Sequence, residues 1–181
     1  GINFIRLPIT WCIVYKDPYI IYGNQGNTTS VGDGNMIIKD PYFKDKYWAG
    51  IPIIDIKNIL LAAGQLGMKV LIDFHTYPGG SSVGSYSGPW PESPKFWDNN
   101  DVAKQNIQTI MMNFCNWVKS EPMALGGLYG TSPINEPAHL SGVKSFYKQY
   151  PKRWDPTQGG SNETRLNDIS QVLDISIDVF R

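Results

Sequence analysis

Arg6, His75, Asn135 and Glu136 are the side chains whose types and places in this sequence suit catalysis. Each falls within or at the end of a short apolar, β-leaning run: "NFIRLPITW" (3–11), "KVLIDFH" (69–75) and "ALGGLYGTSPIN" (124–135), the last leading into Glu136-Pro137. Taken singly, each has a plain structural account. Arg6 could pair with Asp73, a lone histidine often just completes a hydrogen-bond network, and Glu136 could cap the next segment. Together they bring a cation, a switchable imidazole, an amide and a carboxylate to one rim. That set suits glycosidic bond cleavage, in which a carboxylic acid protonates the departing oxygen. A second carboxylate must attack the anomeric carbon or activate water. An amide beside the acid can hold the sugar 2-hydroxyl, and aromatic side chains can stack on sugar rings.

The elements that must position these residues alternate. A first strand over 3–11 is followed by an irregular stretch from about 12 to 50, too long for an ordinary connection and therefore a functional loop or an insertion. Ile53, Ile56, Ile59, Leu60 and Ala63 recur at helical spacing over 51–68, with Pro52 suited to the first turn and Gly67 to the stop. A buried strand over 69–75 carries Asp73 inside it, and a Gly/Pro-punctuated loop occupies 76–100. The segment 100–121 is an amphipathic helix with Val102, Ile107, Ile110, Met111, Phe114, Trp117 and Val118 on one face. A third strand over 124–135 contains Pro133 as a flaw. After a polar loop over 138–161, a closing helix over 163–180 sets Leu166, Ile169, Val172, Leu173 and Ile177 to one side. The order β-α-β-α-β-α implies an α/β fold with parallel strands and right-handed crossovers. In such folds chemistry sits at the carboxyl ends of the strands, the edge from which all three long loops leave.

The totals exclude several classes. The 181 residues suffice for one ordinary domain, and sixteen Lys+Arg against sixteen Asp+Glu leave no net charge to attract nucleic acid or an anionic membrane. No apolar run is long enough to insert in a bilayer. Neither a G-x-G-x-x-G nor a Walker loop follows any strand, which disfavours a nucleotide-binding protein. Two histidines without ligand spacing imply no metal, and nothing implies a cofactor. Cys12 and Cys115 read as buried free thiols, with a disulfide between them left open. Two sequons, Asn27-Thr28-Thr29 and Asn162-Glu163-Thr164, would be usable in a secreted protein.

"NFIRLPITW", "KVLIDFHTYPGG" and "LYGTSPINEP" resemble the second, third and fourth strands of the retaining glycoside hydrolase family 5 barrels, in the flavour of the exo-β-1,3-glucanase branch. The resemblance covers those strands and the helices between them, while 12–50 and 138–161 align with nothing in that family. It implies a partial (β/α)8 TIM barrel, with 1–181 forming part of one catalytic domain that lacks strand one and strands five to eight. It also implies a retaining hydrolase of β-glucan or its oligosaccharides, outside the cell or at the cell wall. Glu136 would be the general acid/base and Asn135 would hold the 2-hydroxyl. His75 would border the reacting sugar, and Arg6 would organise the carboxylates from beneath. In the loop after the second strand seen here, Tyr86 and Trp90 would stack on sugar, with Trp97 a weaker candidate. Glu92 and Asp98 read as solvated or structural.

The family's nucleophile, a glutamate at strand seven, has no counterpart here. Glu163 reads as helix-start chemistry and Asp73 as a strand-internal pairing residue. The expectation is therefore a nucleophile outside this chain, with β-1,4-endoglucanase or a non-catalytic or vestigial carbohydrate-binding protein as the alternatives. Three strands alone would leave one sheet face and both edges open, so the isolated chain is expected to fold poorly or associate. The oligomeric state is not readable.

Overall fold

A computed structural model describes residues 1–15, 28–30, 36–82, 89, 92–135 and 150–180. The molecule is mixed α/β. At its centre is a three-stranded sheet of β1 (Phe4–Thr10), β7 (Lys69–Thr76) and β8 (Leu128–Ser132), in the order β1-β7-β8 and parallel throughout. Three helices accompany it: α1 (Ile53–Gln65), α2 (Asn100–Ser120) and α3 (Asn162–Phe180). The alternation expected from the sequence is present.

Side-chain period two decides what each sheet face does. Val70, Ile72 and Phe74 of β7 are buried on the helix side, where Phe74 meets Phe114 of α2 edge to face at 5.3 Å. Ile5, Leu7 and Ile9 of β1 join the same core. The opposite face carries Phe4, Arg6 and Pro8, all exposed. There Phe4 finds Tyr129, whose ring stands across from it at 5.1 Å although Tyr129 is itself 69% exposed. One sheet face is thus covered by helices, while the other exposes Phe4, Arg6 and Pro8 at its β1 side among the described residues.

The first helix follows its sequence signals, and the other two are capped by residues the structure identifies. Pro52 precedes α1, and Gly67 takes a positive φ of 69° just beyond its end. Asn99 caps α2, its side chain accepting from the backbone of Asp101 and Val102. Ser161 does the same for α3, accepting from Thr164 N at 3.0 Å. Two apolar positions assigned to the buried side of α3, Leu166 and Ile177, are 60% and 50% exposed; Ile177 lines a groove between α2, β8 and α3 instead.

Two stretches depart from the expected outline. Within 12–50, described residues form β2 (Ile13–Val14), β3 (Thr28–Ser30), β4 (Met36–Lys39) and β5 (Tyr47–Ala49), and β6 (Ile51–Pro52) follows. β3, β4 and β5 make an antiparallel sheet, while β2 pairs in parallel with β6. The stretch is therefore a structured insertion, and its anchor is buried Asp40 just after β4. The third strand is also shorter than expected. Residues Pro122–Gly126 form a 3-10 turn, because Gly127 must pass close under α1 before the chain can extend into β8. Pro133, which cannot donate to a ladder, ends the pairing.

Candidate functional site

The parallel register places Pro8 opposite Asp73 and Arg6 opposite Leu71, so Arg6 and Asp73 share the open face. From there the Arg6 side chain reaches toward the strands' carboxyl ends. Asp73 and His75 lie two apart on β7 and would share a face in a regular strand. Between them the ladder slips: Ile9 pairs with Phe74 and Thr10 with Thr76, which leaves His75 without a partner residue on β1. A bulge of this kind re-aims the side chain it carries. Asn135 arrives from the other side of β7, three residues past the end of β8. Its approach is pinned by Tyr77, whose hydroxyl donates to Pro133 O at 2.5 Å, and by Ile134, which is 5% exposed.

These four side chains close a ring. Arg6 Nη2 donates to Asp73 Oδ2 at 2.9 Å and to Asn135 Oδ1 at 2.7 Å. Asp73 Oδ2 also accepts from His75 Nδ1 at 2.8 Å. Asn135 Nδ2 and His75 Nε2 complete the circuit at 3.2 Å. Exposure rises outward from an entirely buried carboxylate to 35% for the His75 side chain and 48% for that of Arg6. Tyr77 borders the ring as a neutral phenol, because burial first and the Asp73 charge second push its ionisation well above the ordinary tyrosine value.

Of the sequence-derived candidates, the ring unites Arg6, His75 and Asn135. Glu136 directly follows Asn135 but lies outside the described residues, as do Tyr86 and Trp90. Trp97 is not a platform for sugar. It is fully buried, with Phe96 at 4.8 Å, Trp154 at 5.0 Å and its Nε1 donating to Ser81 O at 2.8 Å. Glu92, partly exposed, pairs with Lys46 at 2.7 Å, and partly exposed Asp98 faces Lys95 at 3.4 Å, so both are structural or solvated.

Two residues matter more than their sequence context suggested. Asp73 pairs with Arg6, as one sequence account allowed, and also grips His75. The Asp-x-His spacing on one strand was the available signal. Asp40 ties the insertion to the loop after β7, accepting from Gly79 N at 3.0 Å and from Trp48 Nε1 at 2.8 Å; no local pattern announced it.

Chemically, the rim offers donors and a fixed imidazole for a polar ligand. Among the described residues no group of three His, Cys, Asp or Glu could hold a metal ion, and no helix is long and apolar enough to cross a membrane. Cys12 and Cys115 are both free and buried. A separate groove of about 590 Å³, lined by Phe114, Val118, Leu128, Ile177 and Val179 among others, lies on the helix side. It is apolar and holds no carboxylate, so its size does not make it the reactive site. No family model, curated protein or solved structure matches the chain.

Proposed function

We propose that the chain is part of a (β/α)8 barrel of a retaining glycoside hydrolase that cleaves β-glucans, β-1,3-linked and from the chain end. One observation carries the reading: Arg6, His75 and Asn135, from three separate strand regions, meet in one hydrogen-bonded ring immediately before Glu136. In this reading Glu136 protonates the leaving oxygen and later activates water. Asn135 holds the 2-hydroxyl, and the nucleophile comes from outside these residues. Tyr86 and Trp90 stack on the glucan. The protein works outside the cell or at the cell wall, without metal or cofactor.

A second reading, a sugar-binding protein without turnover, draws on a specific feature. Asp73 is the carboxylate of the ring, it is fully buried, and it already accepts from two donors. It is not placed to attack an anomeric carbon.

Glu136→Gln in the natural gene product separates the two. General acid–base assistance contributes about 10²–10⁴-fold. Hydrolysis of β-1,3-gluco-oligosaccharides should fall by that factor while binding persists. A substrate whose leaving group needs no proton, such as a dinitrophenyl glucoside, should still form the glycosyl-enzyme. Unchanged hydrolysis by the variant would remove Glu136 from its role. Binding without hydrolysis in the unmutated protein would favour the second reading.

A further inference from the structure

The donor–acceptor sense of the ring has only one solution. A guanidinium only donates and a carboxylate only accepts. The Asn135 atom 2.7 Å from Arg6 is therefore the carbonyl oxygen, and its NH₂ turns to His75 Nε2 at 3.2 Å. Nε2 must then accept, so the imidazole proton sits on Nδ1 and points at Asp73, 2.8 Å away. A neutral imidazole satisfies all four links. An imidazolium breaks one, because Nε2–H would meet the Asn135 N–H.

We propose that Asp73 is a positioning residue that sets this sense, and that protonation of His75 at Nε2 releases the Asn135 amide from the ring. The charge state of His75 then governs whether Asn135 is held for ligand. Its meaning for a sugar 2-hydroxyl rests on the glycosidase reading above; the sense of the ring does not.

The charged groups around His75 are Asp73 on its own strand, which bonds Nδ1, and the Arg6 guanidinium from β1, which shares the same carboxylate oxygen. Tyr77, just beyond β7, stays neutral. On the third side the uncharged Asn135 NH₂ opposes protonation, and Glu136 adjoins it in sequence. Asp73 holds both Arg6 and His75 through Oδ2, while buried Oδ1 has no hydrogen-bond partner among the described residues. One oxygen thus fixes the direction of two links.

The test is a two-bond ¹H–¹⁵N correlation on the full chain carrying His139→Gln, which leaves His75 as the only histidine, since the chain contains two. The expected result is the Nδ1–H tautomer at neutral pH. On acidification, the His75 ring and the Asn135 side-chain amide should move with one shared midpoint. Asp73→Asn should raise the Nε2–H form and uncouple Asn135. Should that variant fail to fold, the unmutated Asp73 protein decides alone: an Nε2–H tautomer, or an Asn135 amide indifferent to the His75 titration, overturns the proposal. Below the shared midpoint glucan KM should rise about two- to tenfold, the range for one lost hydrogen bond, with kcat changing less. The spectroscopic readouts need no substrate. The expected sense in a protein that neither binds nor cleaves glucan would support the lock and overturn the glycosidase reading.

Discussion

Replacing Asp40 tests how the insertion is held against the site. The residue is 2% exposed and its carboxylate accepts four hydrogen bonds. Oδ1 takes Tyr42 N at 2.7 Å and Phe43 N at 3.2 Å, while Oδ2 takes Trp48 Nε1 at 2.8 Å and Gly79 N at 3.0 Å. In Asp40→Asn the amide oxygen can keep the turn at Tyr42 and Phe43. The new NH₂, however, faces two donors. Leaving two donors unsatisfied costs about 1–3 kcal/mol each, so the loss is about 2–6 kcal/mol. Asp40→Ala loses both acceptor oxygens and all four bonds, but water can reach the half-buried turn at Tyr42 and Phe43, so the isosteric change should be nearly as harmful as the truncation. Against a total stability of about 5–15 kcal/mol this is a large fraction. With a urea slope of about 2 kcal/mol/M, a 4 kcal/mol loss lowers the midpoint by about 2 M. Far-UV circular dichroism in urea measures it, and hydrogen exchange at Gly79 and the Trp48 indole should accelerate in parallel. If Asp40→Asn unfolds within about 0.5 kcal/mol of the parent, the range of an ordinary surface change, the four-bond account of this carboxylate is wrong.

Three further predictions concern stability. Gly127→Ala should destabilise by about 1–3 kcal/mol or more, because a Cβ there would sit 1.9 Å from Leu60 O, a backbone atom that cannot rotate away; denaturation with unchanged midpoint would refute it. Trp97→Phe should lower stability by about 1–3 kcal/mol through the lost bond to Ser81 O and the lost volume, yet leave glucan affinity unchanged; a selective loss of affinity would return Trp97 to the ligand face. Finally, stability should fall in alkali. Burial raises Tyr15, Tyr77 and Cys12 above their ordinary values, so the folded state keeps protons that the unfolded chain releases. Their contribution is complete below the unfolded values of roughly 8.5 for Cys and 10 for Tyr. Above those values it declines by about 1.4 kcal/mol per pH unit for each group, until the folded group itself ionises. Urea midpoints that stay level from pH 8 to about 11 would contradict this, and Tyr77→Phe should make the decline shallower by one group.

The sequence disclosed what is local and repetitive. Alternating apolar runs and helical spacing located the central strands and all three helices, and Gly67 marks the end of α1 by stereochemistry that needs no tertiary partner. What it hid depends on contacts between distant residues. Nothing near Asp40 reveals that Gly79 will need its carboxylate, thirty-nine positions away. Nor does the Phe96-Trp97 pair show whether an indole will stack outward or pack on Trp154. The strand over 124–135 was drawn too long because Ala124 and Leu128 look alike to any apolar pattern; the close approach of Gly127 to Leu60 decides where extension can start.

Asp73 is the residue that most supports the proposed reading of the rim as built for binding rather than for stability. A carboxylate removed from water at the centre of a sheet is poorly compensated by a single charged partner, and apolar residues of similar volume often serve stability equally well. Arg6 is nearly half exposed, so solvent screening weakens that pair further. If stability were the only demand, an aliphatic residue like neighbouring Ile72 would suit the centre of β7. What the carboxylate adds is direction. It fixes which imidazole nitrogen carries the proton, and with Arg6 it fixes which way the Asn135 amide turns. In the proposed reading, those are the properties a ligand arriving at the rim would read. The same ring leaves the second carboxylate of a hydrolase unaccounted for, because Asp73 is wholly engaged in holding its neighbours. The proposal therefore has two halves: the ring of Arg6, Asp73, His75 and Asn135 lies within the described residues, while the proposed turnover calls on Glu136 and a nucleophile outside them.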